Sequence, residues 1–174
     1  ADIIIVNTCG FIGDAKKESI ETILEVSDLK INGNLKKIIV TGCLAQRYAG
    51  EILKELPEVD AVIGTGEIDK IEKVVEEVLA DKRVVESTKM DFLADSETDR
   101  VLTTASHTAY LKIAEGCDRK CTYCIIPQLR GSLRSRTIED ILKEANKLVD
   151  SGVRELNLLA QETTEYGIDL YKEK

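Results

Sequence analysis

Three of the five cysteines stand within eight residues, in Gly116-Cys117-Asp118-Arg119-Lys120-Cys121-Thr122-Tyr123-Cys124, spaced C-x-x-x-C-x-x-C. Thiolates this close face one point only where the backbone folds around a soft metal centre. A disulfide uses two sulfurs and leaves the third over. Iron–sulfur clusters take Cys thiolates, usually four for each cluster, and bacterial ferredoxins space theirs comparably tightly. No cysteine follows Cys124, so a cubane cluster on this loop would keep one iron without a protein ligand. Such an iron can bind substrate, as an open zinc site does. Three other readings compete. Unrelated buried thiols fit poorly beside the polar Asp118, Arg119, Lys120 and Thr122. A structural zinc wants four N or S ligands, and the single histidine, His107, would have to fold back to serve. A thioredoxin-like pair, Cys121 and Cys124, leaves Cys117 unexplained. The open cluster is the best reading.

Elements must place this loop. The run Ala109-Tyr110-Leu111-Lys112-Ile113-Ala114 predicts a strand that delivers the chain into it. Beyond it, Thr137 with Asp140 makes a capping-box-like helix start. Ile138, Ile141, Leu142, Ala145, Leu148 and Val149 form an apolar stripe, and Gly152 supplies the stop. Leu156 to Leu159 is the next strand, ending at Gln161. The result is a βαβ unit with its thiols at a strand's carboxyl end, where barrel enzymes place their chemistry.

Upstream, Ile3 to Val6 is a continuous β-branched run, as in a strand buried on both faces of a parallel sheet. Ile38–Thr41 and Ala61–Ile63 repeat it. The first helix is predicted with Asp14 as its cap and with Ile20, Ile23, Leu24 and Ile31 at helical spacing. A second runs through Ile52 and Leu53 to Pro57. A third, from about Glu67 to Ala80, turns Ile68, Ile71, Val74, Val75, Val78 and Leu79 to a core. This alternation argues an α/β fold with a parallel sheet. Cys9 and Cys43 fall just past the carboxyl ends of successive strands, where open α/β sheets bind ligands. They either share a centre or are two semi-buried loop thiols, and spacing leaves both readings open. Ser87 to His107 has no sustained period and reads as a linker. The expected division is therefore 1–86, a linker over 87–107, and 108–174.

Composition sets limits. The chain has 174 residues, is 43% hydrophobic and 32% charged, and carries a net charge of −8. The acidic balance argues against broad nonspecific affinity for nucleic acid or anionic membrane. No apolar run approaches the roughly 18 residues of a membrane-spanning helix, and no signal-peptide pattern opens the chain. Clustered thiols without a disulfide pattern point to a reducing compartment, the cytoplasm. The chain starts without Met directly on a core-type strand and stops in a polar tail, so we expect a fragment of a longer protein.

These residues resemble a known family. The C-x-x-x-C-x-x-C loop after the first strand of an α/β barrel is similar to that of the radical S-adenosylmethionine superfamily, and within it to the methylthiotransferases. Asn7-Thr8-Cys9 and Gly42-Cys43 match two of three cysteine positions in the family's N-terminal domain. The stretch from Ala109 through Cys117 to Gly131 matches its central motif. Ile125 to Arg136, and Gln161-Glu162-Thr163-Thr164-Glu165-Tyr166-Gly167, look more like the ribosomal-protein (RimO-type) enzymes than the tRNA (MiaB-type) ones.

The resemblance implies a parallel-sheet methylthiotransferase domain followed by the first βαβ portion of a radical S-adenosylmethionine, partial TIM-like barrel. It implies two 4Fe–4S clusters. Cys117, Cys121 and Cys124 would hold one, whose open iron chelates S-adenosylmethionine. Cys9 and Cys43 would hold the auxiliary one, its third ligand lying upstream of residue 1. The barrel's remainder and a small C-terminal domain would follow Lys174. The implied reaction makes a 5′-deoxyadenosyl radical and places a methylthio group on the β-carbon of an aspartate in a decoding-centre ribosomal protein. An electron donor such as flavodoxin would serve it. Candidate cofactor contacts are Tyr123, Gln161, Thr163 and Arg136, with Arg130 and Arg134 completing a basic cluster that could balance the anionic cluster. Alternatives are a tRNA adenosine substrate, which would make nucleic acid a partner, an electron-transfer iron–sulfur protein, and a zinc-binding interaction module.

Overall fold

A computed structural model describes residues 1–88 and 90–171. It divides into two compact units, 1–92 and 93–174.

The first unit is a four-stranded parallel sheet in the order β1 (Ile3–Thr8), β2 (Lys37–Gly42), β3 (Ala61–Ile63), β4 (Val84–Glu86). Successive side chains on a strand face opposite sides, and the core divides accordingly. Ile38, Val40 and Val62 join Ile23 of α1 (Gly13–Ile31) and Leu44, Ala45 and Ile52 of α2 (Cys43–Glu55) on one face. Ile39, Ala61, Ile63 and Val84 meet Val74 and Val78 of α3 (Ile71–Leu79) on the other. Burial on both faces is why β2 and β3 read as unbroken apolar runs; β1, expected to be buried likewise, lies at the sheet edge with Ile5 exposed.

Several expectations need correction. Asp14 does not cap α1. The helix starts at Gly13 after Ile12, which makes no side-chain cap bond, and Asp14 sits in the first turn, where its charge favours the helix dipole. The sheet-facing stripe of α1 is Ser19, Ile23 and Ser27, all buried, while Ile20, Leu24 and Ile31 are exposed. Ser19 and Ser27 can be buried because their hydroxyls donate to the carbonyls of Ala15 and Ile23 at 2.8 and 2.9 Å. The third helix opens as a 3-10 turn over Ile68–Lys70, and Leu79 points to solvent. β4 was not expected; it is three residues long, and only its pairing with β3 defines it.

In the second unit, β5 (Thr108–Lys112) pairs in parallel with β8 (Glu155–Leu159), and α5 (Ile138–Asp150) connects them. Ala109, Leu111, Leu148 and Val153 form the core between helix and strands. Of the expected α5 stripe, Leu148 is buried and Ile141 and Ala145 are partly so, but Ile138, Leu142 and Val149 are exposed. The expected strand over 109–114 breaks at Ile113. Its end, β6 (Ala114–Glu115), turns to pair antiparallel with β7 (Arg134–Ser135) across the cysteine loop and α4 (Ile126–Arg130). A 3-10 turn (Thr163–Glu165) and α6 (Ile168–Tyr171) follow β8.

The stretch read as a linker is tied down at both ends. The carbonyl of Ser87 accepts from Gln46 Nε2 at 2.7 Å, and Thr88 N–H donates to Glu67 at 3.0 Å. Further on, Ser96 N–H donates to Asp140 Oδ1 at 2.9 Å, Arg100 meets Glu144 at 3.1 Å, and Lys143 meets Glu97 at 2.6 Å.

Candidate metal centre

The cysteine loop leaves β6 at Gly116, whose φ is +79°. A Cβ here would meet Ser132 O at 2.1 Å and Gly131 O at 2.7 Å. Glycine is therefore what lets the outgoing strand run against the returning chain. Cys117 N–H then donates to Gly131 O at 3.1 Å, closing the loop's base. Cys117 is buried, Cys124 half-buried, and Cys121 exposed. Arg119 N–H donates to Cys117 Sγ at 3.4 Å, and Cys124 N–H to Cys121 O at 3.1 Å. All three thiols thus share one loop at the carboxyl end of the β5–β6 strand pathway. Among the described residues, however, no three Cys, His, Asp or Glu side chains converge on one point in a metal-holding arrangement.

Cys117 also lines a cavity of about 180 Å³ with Arg119, Leu133, Glu162, Glu165 and Asp169. Its far wall is the chain after β8. Asp169 Oδ2 accepts from Ser135 N at 2.8 Å, and Gly167 N–H donates to Ser135 Oγ at 2.9 Å. Arg119 reaches Glu165 at 2.5 Å and Glu162 at 3.7 Å. Sequence reading missed these three residues as a group. The signal, opposite charges on the motif loop and beyond the next strand, has no fixed spacing to mark it.

The expected cofactor contacts separate. Tyr123 is 87% exposed beside the thiols, and Gln161 and Thr163 are exposed at the end of β8. Arg136 is different: it is 4% exposed and committed to its own unit. Its Nε reaches Asp140 at 2.6 Å, and its Nη1 reaches Glu144 at 2.5 Å and Lys112 O at 2.8 Å. Its Nη2 is buried without a hydrogen-bond partner among the described residues. Arg134 holds the carbonyls of Arg130 and Ser132, and Arg130 reaches the buried Glu115 at 3.2 Å. Burial alone would raise the Glu115 carboxyl pKa; the Lys112 ammonium at 2.6 Å and the Arg130 guanidinium outweigh it and hold the value below the ordinary one. The basic cluster thus braces the loop's base. His107 accepts from the N–H groups of Arg154 and Glu155 through its backbone carbonyl, at the start of β5.

In the first unit, Thr8 and Gly42 are register partners, so Cys9 and Cys43 leave neighbouring strands side by side, where strands run about 4.8 Å apart. Gly42 has φ +97°, and a Cβ there would meet Thr8 O at 2.3 Å. At Gly10 a Cβ would meet Cys43 O at 2.7 Å, so the Cys9 turn lies directly on the first residue of α2. Ser19 fixes that turn, its hydroxyl accepting from Cys9 N–H at 3.0 Å. Cys9 is exposed and Cys43 buried.

Residues 111–173, the strand, cysteine loop, helix and strand just described, match the radical SAM superfamily. Residues 1–64 match an uncharacterized protein family, UPF0004. The chain is 58% identical over 172 residues to the ribosomal protein uS12 methylthiotransferase RimO of Thermoanaerobacter sp. (strain X514), covering 99% of this chain and 39% of that one. With the protein of the same name from Clostridioides difficile (strain 630) it shares 55% identity over 171 residues, 98% of this chain and 38% of that one. Over nearly all of its length the chain is similar to the RimO-type radical S-adenosylmethionine methylthiotransferases. It spans about two fifths of the length of these curated relatives.

Proposed function

We propose that this chain forms the cluster-binding part of an enzyme that adds a methylthio group to ribosomal protein uS12, at the β-carbon of an aspartate. The carrying observation is the set Cys117, Cys121 and Cys124 on one strand-end loop. The residues fit a 4Fe–4S cluster by donor chemistry: three thiols are supplied, and the Arg119 N–H already donates to Cys117 Sγ, the kind of hydrogen bond that tunes cluster sulfurs. Cys117, Cys121 and Cys124 would hold such a cluster, which would supply one-electron reduction of S-adenosylmethionine. The chain's own task is to hold the cofactor and exclude competing reactions. Tyr123, Gln161 and Thr163 are the residues we assign to holding it.

We assign Cys9 and Cys43 to a second cluster, supported by their in-register strand ends and the Gly10 contact. In functional terms we divide the chain into a cysteine-pair unit, 1–86, a connecting stretch, 87–107, and a radical-generating unit, 108–174. A low-potential donor such as flavodoxin would deliver the electron. Action on a ribosomal protein would place the enzyme in the cytoplasm; no described helix is long and apolar enough to cross a membrane. The names of the relatives favour the ribosomal protein over a tRNA substrate.

Anaerobic iron and sulfide counting tests the assignment. The Cys117→Ala chain should lose about four irons relative to the unaltered chain, and S-adenosylmethionine should change the reduced cluster's EPR spectrum only while Cys117 is present. Full iron retention by Cys117→Ala would overturn it, and stoichiometric zinc without sulfide would favour a zinc module.

A further inference from the structure

The cysteine loop carries a charge that its ligand role does not use. Residues Asp118 to Thr122 are all exposed, and among them Arg119 is engaged at both ends. Its backbone N–H donates to Cys117 Sγ. Its guanidinium spans Glu165 and Glu162, beyond β8 on the opposite wall of the cavity. Glu162 is set in advance, since its carboxylate accepts from Thr164 N–H at 3.0 Å and Thr164 Oγ1 at 2.6 Å. Those bonds, with the Arg119 charge adding to them, keep its pKa below the ordinary value, so the partner stays ionised. A planar, permanently charged fork can meet two carboxylates at once, as a lysine cannot.

We propose that Arg119 is a positioning residue: it tethers the cysteine loop to the turn after β8 through Glu162 and Glu165, and so sets where the Cys117 thiol lies. This rests on the reading of the loop as a cluster site. The tether itself, however, is a property of the chain without any metal. It links two segments far apart in sequence, so the folding of β8 and its turn onto the unit is what organises the ligand loop. The pair is partly exposed, with Arg119 at 49% and Glu165 at 21% side-chain exposure. Its effect is therefore that of a screened ion pair, not of a buried one.

The test is alkylation of the reduced, metal-free chain by iodoacetamide, with the rate at each cysteine read by peptide mass spectrometry and Cys43, in the other unit, as internal reference. Arg119→Ala should raise the Cys117 rate about threefold over that of Cys43, the size expected for a partly exposed ion pair. Arg119→Glu should raise it further, and adding Glu165→Arg to that variant should bring it back towards the starting rate. Arg119→Lys should lie between the unaltered chain and Arg119→Ala. Unchanged Cys117 reactivity in both Arg119→Ala and Arg119→Glu would overturn the tether, as would acceleration of Cys43 in step with Cys117. So would failure of the charge exchange to restore protection. Iron and sulfide counting on separate, unalkylated portions of the same chains after anaerobic reconstitution separates the two claims. An unaltered chain that takes up neither would overturn the cluster reading, while the alkylation ratios would still decide the tether.

Discussion

Gly116 shows how much of the site depends on a missing atom. Its φ of +79° lies where L side chains are rarely found, and the space for a Cβ is filled by backbone oxygen at 2.1 Å. Neither obstacle yields by rotating a side chain, because both are main chain. Gly116→Ala must push β6 away from the returning Gly131–Ser132 segment and break the Cys117 N–H bond to Gly131 O. We expect a loss of about 2 kcal/mol of stability, from strain at a positive φ plus the lost bond, measurable by urea denaturation. A second expected outcome is a loop that takes up less iron in anaerobic reconstitution. The donors themselves were legible from the sequence, because three thiols at close spacing have few chemical uses. Their environments were not. That Cys117 is buried and Cys121 exposed depends on what Gly131, Leu133 and the chain after β8 bring against the loop, and no local pattern encodes that.

At the scale of elements, α5 shows what sequence reading captures and what it misses. Thr137 is the cap expected: its Oγ1 accepts from Asp140 N–H at 3.3 Å. The reciprocal half of a capping box is not made, because Asp140 turns its carboxylate to Ser96 N–H and to Arg136 instead. Thr137→Ala should therefore cost about 1 kcal/mol, the ordinary price of one cap, and lower the thermal midpoint without altering iron uptake. A larger loss would mean that Thr137 supports more than the helix end. The strands β5 and β8 were legible because each is five residues long and mostly apolar, with Ala109, Tyr110 and Leu111 in one and Leu156, Leu158 and Leu159 in the other. By contrast, β4, β6 and β7 are two or three residues long and exist only through pairing with distant chain. The α1 stripe was misread for a related reason. Two serines face the sheet once their hydroxyls are satisfied within the helix, and the exposed Ile20 and Leu24 then mimic a core face. The stretch 93–100 has no period because ion pairs and backbone bonds to α5 hold it, and these leave no periodic trace.

Across the whole molecule, the net charge of −8 conceals carboxylates that the fold needs ionised. Glu115 is 6% exposed and sits between Lys112 and Arg130 at the base of the cysteine loop. Asp140, between Ser96 N–H and Arg136, likewise has a lowered pKa: burial opposes ionisation there, and the hydrogen bonds outweigh it. A carboxylate whose pKa is lower folded than unfolded contributes stability that is present above its unfolded value. That contribution is lost as pH falls through the folded value. For Glu115 the loss should begin near its ordinary 4.5 and continue downward. The thermal midpoint should therefore hold between pH 7 and 5 and fall steeply below about pH 4.5. Glu115→Gln separates this residue from the rest. At pH 7 it should cost about 2 kcal/mol, discounted from the roughly 3–5 kcal/mol of a fully buried pair because Lys112 is partly exposed. The difference between variant and unaltered chain should then shrink as pH drops from 5 to 3, because acid removes from the unaltered chain the charge that the variant already lacks. Circular dichroism melts of both proteins at four pH values decide it. A gap that stays constant down to pH 3 would mean that Glu115 contributes by shape and hydrogen bonding, and that the acid sensitivity of this unit resides in Asp140 and the ion pairs of α5.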